Sequence, residues 1–307
     1  MNEKVSVLQV DNLSIAFSMY NRGLSKRDLE VIHELSIDVK KGEIVAVVGS
    51  SGSGKSLLAH AIMGILPENA KIKGSIKYYN DELNEKYLRK VRGKDIAFIP
   101  QSVDFLDPLM KVGKQVVGIN GNKEKQKEVF KKYNLDDKVA EMYPFQLSGG
   151  MARRVLIATA VMNEAKLIIA DEPTPGLNLE LAMETLNNFR EIADNGCGVL
   201  LITHDVDLAL NVADRIAVFY SGTIVEIAQV EDFIKGKDAL RHPYSKAFID
   251  ALPQNKFKEL PGYQPYAGNL PKGCLFRDRC SLKTDECCME IKMRKVRDGE
   301  VRCINAT

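Results

Sequence analysis

The residues best equipped for chemistry form one run, Gly49-Ser50-Ser51-Gly52-Ser53-Gly54-Lys55-Ser56, which fits the pattern G-x-x-x-x-G-K-[S/T]. Its glycines let backbone N–H groups turn inward around an anion with no side chains in the way. A helix opening near Lys55 aims its positive dipole end at the same anion. Lys55 is then placed to reach β- and γ-phosphates, and the Ser56 hydroxyl to take one position on Mg²⁺. Farther along stand an acidic pair, Asp171–Glu172, and a histidine, His204. An Asp–Glu pair alone is usually surface charge. At the end of a buried strand beside a phosphate loop, the first carboxylate can hold Mg²⁺ and the second can polarise an attacking water. A histidine closing a neighbouring strand can hydrogen-bond a γ-phosphate and register its loss. Gln101 ends IAFIPQ, where an amide can also reach Mg²⁺ and the water.

Leu147-Ser148-Gly149-Gly150-Met151 is a second anion-binding helix start, offering a hydroxyl and backbone N–H groups ahead of MARRVLIATAV. Two such sites in one chain are redundant unless the second serves a nucleotide held by another subunit. The cysteines make a separate group. Cys197 stands alone and reads as a small buried residue. The others follow Cys274-x5-Cys280-x6-Cys287-x15-Cys303, with Cys288 beside Cys287. Without an export signal the compartment is reducing, which argues against a disulfide framework. Four thiolates suit zinc or an iron–sulfur cluster, and the spacing lacks the C-x₂-C knuckle common in structural zinc sites.

These groups need a scaffold. EIVAVV (Glu43–Val48), LIIA (Leu167–Ala170) and GVLLIT (Gly198–Thr203) are β-branched runs of the kind buried on both faces. Helical spacing follows the first in Leu57, Leu58, Ala61, Ile62, Ile65 and Leu66, ending at Pro67. RIAVFY and TIVEI flank Ser221–Gly222 as a hairpin. Strands alternating with helices imply a mostly parallel sheet covered on both faces. The first forty-five residues read as short strands broken by turns, with a polar insertion at Asn21–Asp28. NKEKQKEVFKK (Asn122–Lys132) reads as a solvated helix face. From about residue 230 the character changes: HPYSKAFIDALP looks like a helix ending at Pro253, and a cysteine module runs from about 261 to 307.

The 43 basic and 41 acidic residues leave a formal charge of +2, so nucleic acid is not an expected partner. The N-terminus lacks the apolar core of a signal peptide. No apolar run reaches the roughly 18–20 residues that span a bilayer, so any transport role needs separate membrane subunits.

In this order the motifs resemble the ABC ATPase family over roughly residues 5–230. The resemblance implies an α/β fold: a P-loop NTPase core with a mostly parallel sheet, an antiparallel β subdomain, a helical subdomain at about 102–163 and a small cysteine-rich extension at 231–307. It assigns Gly49–Ser56 as Walker A, Gln101 as the Q-loop glutamine and Leu147–Met151 as the signature. Asp171 becomes the Walker B aspartate, Glu172 the catalytic base and His204 the switch histidine, with Ser56, Asp171 and Gln101 around Mg²⁺. An aromatic that stacks on adenine is expected in the N-terminal strands; Phe17 fits, with Tyr20 as the alternative. Two subunits would pack head to tail, each ATP lying between one subunit's Walker motifs and the other's signature. Asn178 stands where the family's D-loop commonly ends in Asp, which points to a non-identical partner.

Gln101–Val116, His242-Pro243-Tyr244 and LPGYQPYAGNLPKGCLFRDRC from Leu260 resemble the oligopeptide/dipeptide/nickel importer branch. That likeness implies an ATPase at the cytoplasmic face of the membrane, two permease subunits, a second ATPase and an extracellular binding protein. It also implies a [4Fe–4S] cluster on Cys274, Cys280, Cys287 and Cys303. Peptides lead as cargo, with nickel or a metal chelate next. Other readings are a regulatory subunit without turnover and a soluble ABC ATPase of DNA repair or translation. The last lacks support, because only about ninety residues separate Ser56 from Ser148 and there is one ATPase unit.

Overall fold

The computed structural model describes residues 5–20, 25–118, 121–252, 254–255 and 257–306. Strands β1 (Ser6–Tyr20) and β2 (Lys26–Lys40), fifteen residues each, pair antiparallel. These are long strands, not the short broken ones expected. Bulges bend the strands without ending them: Asn12 and Glu34 take φ of 49° and 41°. Their N–H groups are not wasted, because Asn12 N donates to Ser36 Oγ at 2.9 Å and Glu34 N to Ser14 Oγ at 3.0 Å. The end of the polar insertion, Lys26–Asp28, belongs to β2; its Asn21–Leu24 part lies outside the described residues, as does Pro253.

After β3 (Ile44–Val48) and helix α1 (Lys55–Met63), strands β4 (Ala70–Tyr78) and β5 (Asp81–Glu82) complete a four-stranded sheet ordered β2-β1-β4-β5. Helix α2 (Glu85–Val91) leads into β6 (Ile96–Ile99), the first strand of a second sheet after β3. The chain between β6 and β7 (Leu167–Asp171) is helical, with α3 (Val112–Val117), α4 (Lys123–Lys132) and α5 (Gly149–Val161). In α4 only Gln126 and Phe130 are buried, while Lys125 and Lys132 pair with Glu164 and Glu191. It is the solvated face its composition indicated.

Helix α6 (Leu179–Asp194), β8 (Gly198–Thr203), α7 (Val206–Val212), β9 (Arg215–Tyr220) and β10 (Thr223–Gln229) follow. Strands β9, β3, β8, β7 and β6 run parallel, and β10 turns back antiparallel on β9. Side chains of β3 alternate between two cores. Ile44, Ala46 and Val48 face the helices; Val45 and Val47 face the antiparallel sheet and α1. This two-sided burial is why the run is continuously apolar.

Helices α8 (Val230–Ile234) and α9 (Pro243–Asp250) lead into the tail. The tail is not a loose appendage. Its hairpin, β11 (Arg294–Val296) and β12 (Gly299–Val301), joins the central sheet through β12–β10 pairing, which makes eight strands. Buried Arg241 fastens it: the guanidinium bonds to Val296 O at 2.6 Å, to Asp232 Oδ2 at 2.9 Å and, at 3.4 Å, to fully buried Glu226. Among the described residues no helix is long and apolar enough to cross a membrane.

A candidate nucleotide site

The phosphate loop leaves β3 at Gly49, where a Cβ would stand 2.5 Å from the Phe219 carbonyl oxygen, so only glycine fits beside β9. Gly54 caps α1 with φ 104°, in the left-handed region. Lys55 is buried, and its ammonium donates to Gly49 O at 2.9 Å and Ser50 O at 3.0 Å. An ammonium has three N–H donors, so one is left for a phosphate oxygen. Burial pulls the Lys55 pKa down, while the Glu172 and Asp171 carboxylates pull it back up. The ammonium therefore sits within the field of both acids.

Asp171 ends β7 and Glu172 follows it, both buried. Burial raises the Asp171 pKa, a hydrogen bond with the Ser56 side chain opposes that, and the Glu172 charge raises it further. Its Oδ1 is buried with no hydrogen-bond partner. An orphaned carboxylate oxygen beside a hydroxyl fits one corner of an octahedral Mg²⁺ shell. Glu172 has φ 48°, and its N–H is tied to Ile202 O at 2.8 Å. Such a backbone costs on the order of 1–3 kcal/mol. Burial of Leu167, Ile168 and Ile169 in β7 outweighs it, at about 1.5–3 kcal/mol per side chain. The strain points the carboxylate out of the strand, and exposed His204 meets it, Nδ1 to Oε2 at 2.8 Å.

Gln101 lies exposed just after β6. Its carbonyl accepts from Arg153 at 2.6 Å, and the same guanidinium bonds to Pro100 O at 2.8 Å. Arg153 sits on α5, which starts at Gly149 with Ser148 as its cap, the hydroxyl accepting from Met151 N at 3.3 Å. Ser148 and Gly149 are exposed, and a Cβ on Gly149 would meet nothing. The signature is thus an open helix end. Asn178 caps α6 through a bond from Leu181 N at 2.9 Å.

Phe17 and Tyr20 fall on opposite faces of β1, since they lie an odd number of residues apart. Phe17 is half-buried against the sheet core, whereas Tyr20 is exposed with the Lys26 ammonium over its ring at 5.3 Å.

The cysteines Cys274, Cys280, Cys287 and Cys303 share one neighbourhood. Burial raises the Cys303 pKa to about 11, with added push from the other three thiols. Cys274 N bonds to Cys287 O at 2.9 Å, a contact made close by Gly273 at φ 77°. Cys288 is set apart from this group: it is exposed, with its Sγ 3.2 Å from the Arg277 guanidinium. Among the described residues no three His, Cys, Asp or Glu side chains are gathered tightly enough to hold a single ion. Cys197 is buried, and burial raises its pKa to about 12, as a packing residue.

The model of the ABC transporter family matches residues 32–175, and that of the oligopeptide/dipeptide transporter C-terminal region matches 225–287. A dipeptide transport ATP-binding protein of Haemophilus influenzae is 32% identical over 97% of this chain and 95% of its own. The chain belongs to the ABC transporter ATP-binding family. An oligopeptide transport ATP-binding protein of Bacillus subtilis strain 168 is 34% identical to this ABC subunit, over 90% of this chain and 81% of that one. Among solved structures, a dimeric bacterial ABC transporter cassette matches with a TM-score of 0.65 at 26% identity, over 73% of this chain and 98% of that one. A post-hydrolysis cassette bound to ADP and phosphate gives 0.64 at 25%, with the same coverage.

Two features of this ABC subunit escaped the sequence reading. Arg153 is one of two adjacent arginines in α5, and its bond to the Q-loop backbone has no local signal. The tail's approach to the phosphate loop, where Ser50 Oγ lies 3.1 Å from Gln264 Oε1, joins residues 214 apart.

Proposed function

We propose that this ABC subunit hydrolyses ATP at a site shared with a second ATPase subunit, and so powers import of dipeptides or oligopeptides through a membrane permease. The observation that carries the reading is the convergence of Lys55, Asp171 and Glu172 in one electrostatic neighbourhood. The curated relatives named for dipeptide and oligopeptide transport supply the cargo class.

In this reading Gly49–Ser56 wraps the phosphates and Lys55 donates its remaining N–H as a hydrogen bond to a β/γ oxygen. Ser56, Asp171 and Gln101 would hold Mg²⁺, which neutralises phosphate charge when bound. Glu172 orients a water and takes its proton as the water oxygen bonds to the γ-phosphorus; the bond to the bridging oxygen breaks and ADP leaves. His204 fixes the Glu172 carboxylate and reads the γ-phosphate. Phe17 stacks on the base. Within Leu147–Met151, Ser148 and Gly149 lie open because the motif completes the ATP site of the partner subunit. Asn178 keeps the cap that Asp would give but not the charge, which supports a non-identical partner.

The subunit then works peripherally at the cytoplasmic face, with two permease subunits and, indirectly, an extracellular binding protein. Cys274, Cys280, Cys287 and Cys303 would hold a [4Fe–4S] cluster, which ties four chain segments together and can carry an electron. Burial raises the pKa of the Cys274, Cys280 and Cys303 thiols, so loading releases protons. The test is reconstitution with the permeases and binding protein in vesicles. ATP-dependent accumulation of a labelled di- or oligopeptide is expected. Uptake of a nickel chelate in place of peptide would overturn the cargo, and absence of ATP hydrolysis with intact partners would overturn the enzyme.

A further inference from the structure

The tail runs across the nucleotide site and is fastened there at three points. Gln264 Oε1 accepts from Ser50 Oγ in the phosphate loop at 3.1 Å. Pro265 O accepts from Ser221 Oγ, in the turn after β9, at 3.4 Å. Gly268 O accepts from the Arg27 guanidinium on β2. At its start, Arg279, next to Cys280, bonds to Leu260 O and Pro261 O at 2.9 Å each.

Arg27 places this segment on one face of the β1–β2 pair. Met19 pairs with Arg27 and Phe17 with Leu29, with no register shift between them. Cross-strand partners share a face and so do residues two apart, so Phe17, Met19, Arg27 and Leu29 lie on the same side. That is the side on which Phe17 would meet a base.

Tyr266 is the aromatic the segment brings there. Its ring lies over Gly268, where an added Cβ would come within 2.4 Å of it, yet the residue stays 70% exposed. A fastened backbone holding an exposed aromatic gains little for the fold. It does present a flat apolar surface.

We propose that Tyr266 is a second base-contacting residue of this chain's own ATP site, stacking on the purine of the nucleotide held by the phosphate loop. The proposal rests on the reading of Gly49–Ser56 as that loop and deepens it. The tail is then a wall of the nucleotide site as well as the carrier of the cysteines.

The test is equilibrium binding of ATP and of inorganic tripolyphosphate to the full-length chain, in wild type and in Tyr266→Ala, Tyr266→Phe and Lys55→Ala. Tyr266→Ala is expected to weaken ATP about tenfold, the scale of one lost base–aromatic stack, and to leave tripolyphosphate unchanged. Tyr266→Phe should bind both as wild type does. Unchanged ATP affinity in Tyr266→Ala, or equal loss of both ligands, would overturn the proposal. Lys55→Ala should lose both ligands; wild-type binding there would instead overturn the phosphate-loop reading.

Discussion

His204 Nδ1 stands 2.8 Å from Glu172 Oε2, an exposed imidazole against a buried carboxylate. The pair joins the ends of β8 and β7, which are hydrogen-bonded neighbours in the sheet. The strands thus fix the relative position of base and histidine, and the left-handed φ at Glu172 turns its carboxylate toward the ring.

Replacing His204 with Ala should leave ATP binding nearly intact and lower turnover about a hundredfold, the scale for a misplaced catalytic group. Steady-state kinetics on the assembled transporter would show it as a fall in kcat with KM little changed. A rise in KM alone would mean that His204 serves binding and not positioning.

Arg153 carries the link between the signature helix and the Q-loop. Arg153→Met removes the donor to two carbonyls, one of them at buried Pro100. The expected loss is about 1–3 kcal/mol of stability in denaturant unfolding. Transport should fall further than ATPase activity, because the loop after Gln101 loses its anchor to α5. Equal losses in both would remove Arg153 from the coupling path.

The fold also carries a defined response to acid. His242 caps α9 with Nδ1 accepting from Tyr244 N at 3.0 Å, so the ring is neutral, and its Nε2 is buried without a partner. Burial pushes its pKa down to about 3 from the ordinary 6.5. The unfolded chain therefore takes up a proton, as pH drops below about 6.5, that the native chain refuses. The stability is complete above that pH and falls by up to about 1.4 kcal/mol per pH unit on the way to pH 3. His33, also lowered by burial, adds in the same direction. His242→Asn keeps a capping acceptor and removes the titration, so unfolding free energies at pH 7 and 5 should differ less in the variant. An unchanged difference would show that His242 is protonated in the native state.

Much of the site was legible because phosphate binding imposes local rules. Glycines, a lysine and a buried strand must follow one another, and Gly49–Ser56 after EIVAVV does so. What stayed hidden was set by distant contacts. The bulges at Asn12 and Glu34 leave no local mark, because their compensating hydroxyls, Ser36 and Ser14, sit on the opposite strand. The β11–β12 hairpin is too short to show alternation, and it forms because β10 offers an edge and Arg241 bonds to Val296 O. The segment carrying Tyr266 has no pattern of its own, and its place is set by Arg27 and Ser50, both far away in the sequence.

The most direct measurement is ATP binding and single-turnover hydrolysis by Glu172→Gln in the assembled transporter. The expected result is retained ATP affinity with turnover reduced by about 10²–10⁴-fold, the contribution of a positioned base. Hydrolysis at the wild-type rate in that variant would contradict the assignment of Glu172 and the mechanism built on it.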